Sequence, residues 1–307
     1  MAVRIKAYAK INLTLEIVGQ KDGYHMLDSL VSSVDLFDYI VLKKRKGALS
    51  SITMHGQGSE SIPPEQNNAL KAAELFSKRF NVDGAHITVH KNIPIGAGLG
   101  GSSADVAGVL NGMAKLYKID DKAAIEKLAD ELGSDTRYML EGGFARMQGR
   151  GNQVKKLPIS TKLYFLLLTP KSSVSSGACY KEYDANPTPK TVENATDALI
   201  ACLKENRVND MGRYLTNHLY LPATRLNKDV ENAMQTALSF SPIGALMTGS
   251  GSGVLALFEY KELCEWAKSR VKGKFRADVI KTIVPSEKKV WKNPFVLSKE
   301  EMENANE

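Results

Sequence analysis

The run Gly96-Ala97-Gly98-Leu99-Gly100-Gly101-Ser102-Ser103 is the stretch of this 307-residue chain best suited to chemistry. Its glycines let the backbone adopt positive φ and leave no Cβ between backbone and ligand. Before it, Ala85 to Lys91 alternates apolar and polar residues, which predicts a half-buried strand. After it, Val106, Val109, Leu110, Met113 and Leu116 recur at helical spacing, with Ser102 and Ser103 placed as the helix cap. A helix start directs free N–H groups and the positive end of its dipole at the loop, so the unit suits a phosphate chain. A Walker A loop would end in Gly-Lys-Ser/Thr, and no lysine stands there. Gly96, Gly98 and Gly101 fit a dinucleotide pattern, which also requires a second strand ending in an acid about 20 residues on. Asp120 and Asp121 lie at that distance but follow only Tyr117-Lys118-Ile119, and they read as the cap of a helix from Lys122 to Leu132. A tight glycine turn without a ligand is the remaining alternative.

Other polar groups stand in patterns that could serve the same site. From Val3 to Ile17 apolar residues alternate with polar ones, so Lys10 and Asn12 point the same way from one strand. Gly19 to Gly23 forms a turn followed by Tyr24 and His25. Ile40 to Lys43 and Ser51 to Met54 read as a hairpin. Asn67 opens a helix to Phe80 whose buried side is Ala69, Ala72, Ala73 and Phe76. Gly133-Ser134-Asp135 follows the 122–132 helix, either as a C-cap and turn or as the carrier of a functional carboxylate. Leu163 to Thr169 is an apolar strand, Pro187 and Pro189 mark a loop, and helices are expected near 191–204 and 207–215. Met247-Thr248-Gly249-Ser250-Gly251-Ser252-Gly253 is a second glycine-rich segment, expected between a helix and the strand Val254 to Phe258.

The elements that must position these groups fit comfortably in this length, as two domains or one large one. Hydrophobic residues at 43% and charged residues at 24% are ordinary for a globular protein. No apolar run approaches the roughly 18 residues of a membrane span, and the N-terminus lacks the apolar core of a signal peptide. Cys179, Cys202 and Cys264 are scattered without metal-ligand spacing and read as reduced thiols of a cytoplasmic protein. Much of the net charge of +7 lies in Lys268 to Lys292, with nine basic residues and two acidic ones. A solvated surface, with a field that suits polyphosphate substrates, accounts for it better than a nucleic-acid site.

Taken in order, these motifs resemble the GHMP kinases over about residues 5 to 285. The resemblance rests on Ala-Lys10-Ile-Asn12-Leu, Gly23-Tyr24-His25, Pro94-x-Gly96 to Ser103, Gly133-Ser134-Asp135, Gly142 to Gly151, and Met247 to Gly251. It implies an α+β fold of two domains, with a mixed sheet and a left-handed β-α-β unit at residues 1–155, and an antiparallel sheet with helices at 156–285. A charged tail would fill 286–307. It implies ATP-dependent phosphoryl transfer to an alcohol, with Mg²⁺ carried by the nucleotide and no all-protein metal site. Lys10 and Asp135 would be catalytic. Asn67, Lys91, Pro94, Gly96, Ala97, Gly98, Leu99, Gly100, Gly101, Ser102, Ser103 and Ala104 would bind the nucleotide. Asn12, Tyr24, His25 and Tyr180 would bind a cytidine diphosphate-linked polyol, two tyrosines enclosing the base and the histidine meeting its edge. The protein would be a monomer or homodimer. Two departures from the family pattern, Thr136-Arg137 after the proposed base and His218 to Tyr220, raise two alternatives. One is a kinase for a different alcohol, with Arg137 adding charge near the acceptor; the other is a ligand sensor without turnover.

Overall fold

The computed structural model describes residues 2–284 apart from 57–58, 60–62, 64–65 and 189–191. The tail expected at 286–307 and Pro189 of the expected loop lie outside the described residues.

The spine is a long strand. β1 (Ala2–Asn12) and β2 (Thr14–Lys21) both pair antiparallel with β3 (Tyr24–Arg45). Asp22 and Gly23, both at positive φ, make the two-residue turn from β2 into β3, the geometry that matches strand twist in a hairpin. The single alternating strand expected from Val3 to Ile17 is broken at Leu13, and a register shift falls between Tyr8 and Lys10. Beyond that shift the polar side is no longer solvated: Lys10, Asn12 and Thr14 are buried. The glycine loop covers Lys10, whose N–H donates to the Leu99 carbonyl at 3.0 Å, while Asn12 meets Thr248 and Thr14 meets Thr196.

β4 (Ser51–His55), α1 (Asn68–Phe80) and β5 (Gly84–His90) form a β-α-β unit with parallel strands. The hairpin expected between residues 40–43 and 51–54 does not form. Both edges of β3 are already occupied there, by β1 (Ala2 opposite Lys43 to Lys6 opposite Tyr39) and by β5 (Tyr39 opposite His90 to Arg45 opposite Gly84). β4 therefore pairs with the outer edge of β5. α1 buries Ala69, Ala72, Ala73 and Phe76, the stripe expected from spacing.

α2 (Gly101–Tyr117) is buried along most of its length, because β1, β3 and α1 pack against it. α3 (Lys122–Leu132), capped by Asp121, leads to the short α4 (Thr136–Met139) and to the paired strands β6 (Ala145–Gly149) and β7 (Gln153–Lys156). β6 returns to β3.

The second half holds β8 (Tyr164–Pro170), α5 (Ser176–Ala185) and α6 (Ala195–Lys204), with a 3-10 helix at Val208–Arg213 in place of the helix expected at 207–215. β9 (Thr216–Asn217), α7 (Tyr220–Leu226) and α8 (Lys228–Leu238) follow. β10 (Gly244–Met247), β11 (Val254–Phe258), α9 (Lys261–Lys268) and β12 (Phe275–Ile283) complete the fold. The order β10-β11-β8-β12 is antiparallel throughout. β12 continues onto β3, with Thr282 opposite Val34 and Ile283 opposite Ser33, and β9 pairs parallel with β2, so two ladders join the halves. One apolar cluster runs across that joint from Ile11, Leu30 and Leu110 to Phe165, Leu167 and Leu257. Leu166, Leu168, Val254 and Phe258 face a second cluster with α8 and α9. Among the described residues no helix is long and apolar enough to cross a membrane.

Candidate active site

One cavity of about 830 Å³ gathers the expected groups. Its walls are the glycine loop, the starts of α1 and α2, the end of β1, Ser134-Asp135, the β6–β7 turn, α5 and the 249–251 segment. Residues far apart in sequence meet there because β3 carries both β1 and β6 while β12 brings in the second half.

The loop is held against the second glycine-rich segment. Ser252 and Gly253 donate their N–H groups to the carbonyls of Gly96 and Ala97, both at 3.1 Å. Gly98 sits at φ +74°, and a Cβ there would stand 2.1 Å from the Thr248 carbonyl oxygen. No side chain fits at that crossing, which explains glycine in physical terms. The second segment links β10 to β11, a strand where a helix was expected before it. It is clamped in turn: the Asn217 amide donates to the carbonyls of Met247 (2.7 Å) and Gly249 (2.8 Å), and the Thr248 hydroxyl accepts from Asn12 N–H (3.0 Å).

At the start of α2 the cap is Gly100, at φ 68°, rather than Ser102 or Ser103. A left-handed Gly100 brings the chain into the helix without a capping side chain, so both serines fall within the first turn and line the cavity. Asn67 caps α1, accepting from Ala69 N–H at 2.9 Å and Leu70 N–H at 3.4 Å, and lines the same cavity. Pro94, Leu99 and Gly101 complete that wall; Ala97 and Ala104 are buried at the loop's base.

Beneath the loop lies a buried ion cluster. Lys91 donates to the carboxylates of Asp38 and, at 2.7 Å, Asp105. Asp38 also accepts from the N–H groups of Asn92 (2.6 Å) and Ile93 (2.8 Å), fixing the chain that enters the loop. Burial pulls the Lys91 ammonium down, but Asp105 and Asp38 outweigh it and raise its pKa. Burial, with Asp38 adding to it, pushes the Asp105 carboxyl well above the usual carboxylate range against the pull of Lys91.

Packed against Gly100 of the same loop, Lys10, 5% exposed, donates from Nζ to Asn12 Oδ1 at 2.6 Å and pairs with Asp135 Oδ2 at 3.3 Å. The Asn12 amide donates onward to Ser29 Oγ at 2.8 Å, which sets its orientation. Asp135 stands at the head of α4 without capping it, so its carboxylate is turned to Lys10 and the cavity. A cation, an oriented amide and a carboxylate thus converge beside the α2 N-terminus. Such a set can accept a proton from a hydroxyl and offset negative charge on oxygen.

Farther along, Tyr24, His25 and Tyr180 share the cavity. The Arg150 guanidinium lies 3.4 Å over the Tyr24 ring, and His25 stacks on Tyr180 at 4.8 Å between ring centroids and 26° between planes. Each tyrosine thus has one face covered by a neighbouring side chain. Burial, then the Asp135 charge, raises the Tyr180 hydroxyl well above its ordinary pKa, so it stays protonated.

Arg137 does not approach this cavity. It pairs with Glu126 (2.6 Å) and Asp130 (2.5 Å) on α3, since the helical turn after Asp135 sends consecutive side chains to different sides. Thr136 is fully buried. His218 is likewise structural, its Nδ1 accepting from Ile17 N–H at 2.9 Å, and Tyr220 packs on the second core cluster. Sequence reasoning missed Asp38, Asp105, Thr248, Asn217 and Arg150. Thr248 stood unassigned inside the second glycine-rich motif, and Asp105 left a trace as a charge inside an otherwise small helix start.

Comparison with known proteins agrees with this geometry. The model of the GHMP kinases N terminal domain matches residues 67–145, and that of the GHMP kinases C terminal matches 199–277. The chain is 33% identical to the 4-diphosphocytidyl-2-C-methyl-D-erythritol kinase of Caldicellulosiruptor saccharolyticus, over 92% of this chain and 97% of that one. It is 36% identical to the kinase of the same name from Carboxydothermus hydrogenoformans, over 83% and 88%. A crystal structure of 4-(cytidine 5'-diphospho)-2C-methyl-D-erythritol kinase superimposes with a TM-score of 0.75 at 26% identity, covering 91% of this chain and 98% of the other. The L. major mevalonate kinase bound to R-mevalonate shares the fold, with a TM-score of 0.71 at 15% identity and coverage of 92% and 96%. This chain belongs to the GHMP kinases, as an ATP-dependent kinase of the family that includes these 4-diphosphocytidyl-2-C-methyl-D-erythritol kinases.

Proposed function

We propose that the protein phosphorylates the 2-hydroxyl of 4-diphosphocytidyl-2-C-methyl-D-erythritol with ATP, a step of non-mevalonate isoprenoid precursor synthesis in the cytoplasm. The observation that carries this reading is the Lys10–Asn12–Asp135 cluster facing the α2 N-terminus in the cavity that also holds Tyr24, His25 and Tyr180. The acceptor oxygen attacks the γ-phosphorus of ATP, the bond from that phosphorus to the β,γ-bridging oxygen breaks, and ADP departs. Asp135 accepts the hydroxyl proton, worth roughly 10²–10⁴-fold in rate. Lys10, paired with Asp135, offsets charge on the attacking oxygen and the transferred group.

In this reading residues 1–155 form the nucleotide-binding domain and 156–285 the second domain, with the cleft between them. Gly96 to Ser103 hold the phosphates through backbone N–H groups, with Pro94 and Ala104 shaping the loop, Asn67 near the adenine and Lys91 securing the loop's entry. The donors present fit a nucleotide-borne Mg²⁺: Ser102, Ser103 and Asp135 supply hard oxygen atoms in one cavity. When bound, the ion would neutralise charge between the β- and γ-phosphates. Tyr24, His25 and Tyr180 hold the cytosine by stacking and edge contacts. We assign the chain as a monomer or homodimer. A kinase for another alcohol draws less support, because Arg137 is paired on α3. A sensor without turnover draws less support because Lys10 and Asp135 are both in place.

The roles are tested by steady-state kinetics of Asp135→Asn. The expected outcome is a fall in kcat of about 10²–10⁴ with nucleotide affinity retained. Turnover within about a factor of three of wild type would remove Asp135 as the base.

A further inference from the structure

We propose that Asp184 is a positioning residue of the acceptor site, acting through His25. The inference rests on the reading above that His25 and Tyr180 hold the acceptor base.

His25 follows the turn at the tip of the β2–β3 hairpin, and its side chain is only 15% exposed. Three residues of α5 grip it. Tyr180 stacks on the flat of the imidazole, and Tyr183 meets it edge-on at 6.0 Å and 82°. The Asp184 Oδ1 lies 2.7 Å from Nε2. Tyr180 and Asp184 are four residues apart, so one face of α5 supplies both the stacking partner and the hydrogen-bond partner. Stacking alone is equally compatible with the ring flipped by 180° about Cβ–Cγ, and an anion beside Nε2 selects one of the two orientations. A carboxylate accepts only from N–H, so the neutral imidazole keeps its proton on Nε2, and Nδ1 is left as the acceptor. The pair also ties a hairpin of the first half to a helix of the second, across the acceptor end of the cavity.

The bond bridges a largely buried ring and a half-exposed carboxylate, so its loss is felt in acceptor binding rather than in folding. Asp184→Ala should raise the KM for the cytidyl acceptor about five- to ten-fold, with kcat at saturating acceptor and the KM for ATP unchanged. In a His25→Gln background the same substitution should raise acceptor KM no further, because the group through which it acts is gone. Imidazole ¹⁵N shifts give a readout independent of the acceptor's identity. They should place the His25 proton on Nε2 in wild type and show mixed tautomers in Asp184→Ala. Unchanged tautomers, an equal KM rise in the His25→Gln background, or a parallel rise in the KM for ATP would each overturn the proposal. If wild type fails to turn over the cytidyl acceptor, the functional reading fails while the tautomer comparison still judges Asp184.

Discussion

Lys91→Met makes the most demanding test of how the glycine loop is held. Wild type places one ammonium between two carboxylates, with Lys91 and Asp38 side chains at 5% and 0% exposure and Asp105 at 8%. Methionine keeps the volume and removes the charge. Asp38 retains the N–H groups of Asn92 and Ile93, but Asp105 loses its bond from Lys91, and its Oδ1 has no hydrogen-bond partner to begin with. Removing one member of a buried pair typically costs about 3–5 kcal/mol. That is a large share of the roughly 5–15 kcal/mol by which domains are stable. Urea unfolding followed by circular dichroism should therefore show a midpoint shifted well down with an unchanged slope. The deficit should depend on pH. The folded pKa of Asp105 is already raised by burial and then by Asp38, and loss of Lys91 raises it further. A raised carboxyl contributes stability below its unfolded value that is lost as pH rises through its folded value. The variant should accordingly recover toward wild type as pH falls from neutrality toward the ordinary carboxylate range. Adding Asp105→Asn should restore part of the loss at neutral pH, since it removes one uncompensated charge. A deficit below about 1 kcal/mol, or one that neither acid nor Asp105→Asn reduces, would refute the buried ion cluster as the support of the loop.

Other perturbations separate the loop crossing from the surface charges. Gly98→Ala places a Cβ 2.1 Å from the Thr248 carbonyl oxygen at a φ of +74°. The left-handed backbone alone costs about 1–2 kcal/mol, so both the melting temperature and nucleotide affinity should fall. Retention of both would refute the crossing. Arg137→Ala should leave acceptor KM unchanged and cost at most about 1 kcal/mol, because its partners Glu126 and Asp130 are partly exposed. A selective rise in acceptor KM would return Arg137 to the acceptor site.

Local chemistry made part of this molecule legible in sequence. The glycine loop between β5 and α2, the apolar stripe of α1, the Asp121 cap and the shared direction of Lys10 and Asn12 all follow from residue spacing. What escaped depends on contacts across sequence. Pairing between β3 and β4 looked like a hairpin until β5, which comes later in the chain, took that edge. Ser102 and Ser103 resemble caps, yet the cap position belongs to Gly100, whose left-handed φ of 68° favours glycine and turns the chain into the helix ahead of both serines. Arg137 looked like an intruder beside Asp135 because neighbours in sequence need not share a side of a helical turn. Thr248 and Asn217 are ordinary polar residues in the chain, and only the meeting of the two glycine-rich segments makes them supports of the site.

The most direct test of the functional account is ATP-to-ADP turnover by wild type with 4-diphosphocytidyl-2-C-methyl-D-erythritol beside mevalonate and homoserine as acceptors. Phosphorylation of the cytidyl alcohol and not of the other two is the expected result. Bound ATP with no turnover of the cytidyl alcohol, or preferred transfer to mevalonate or homoserine, would contradict it.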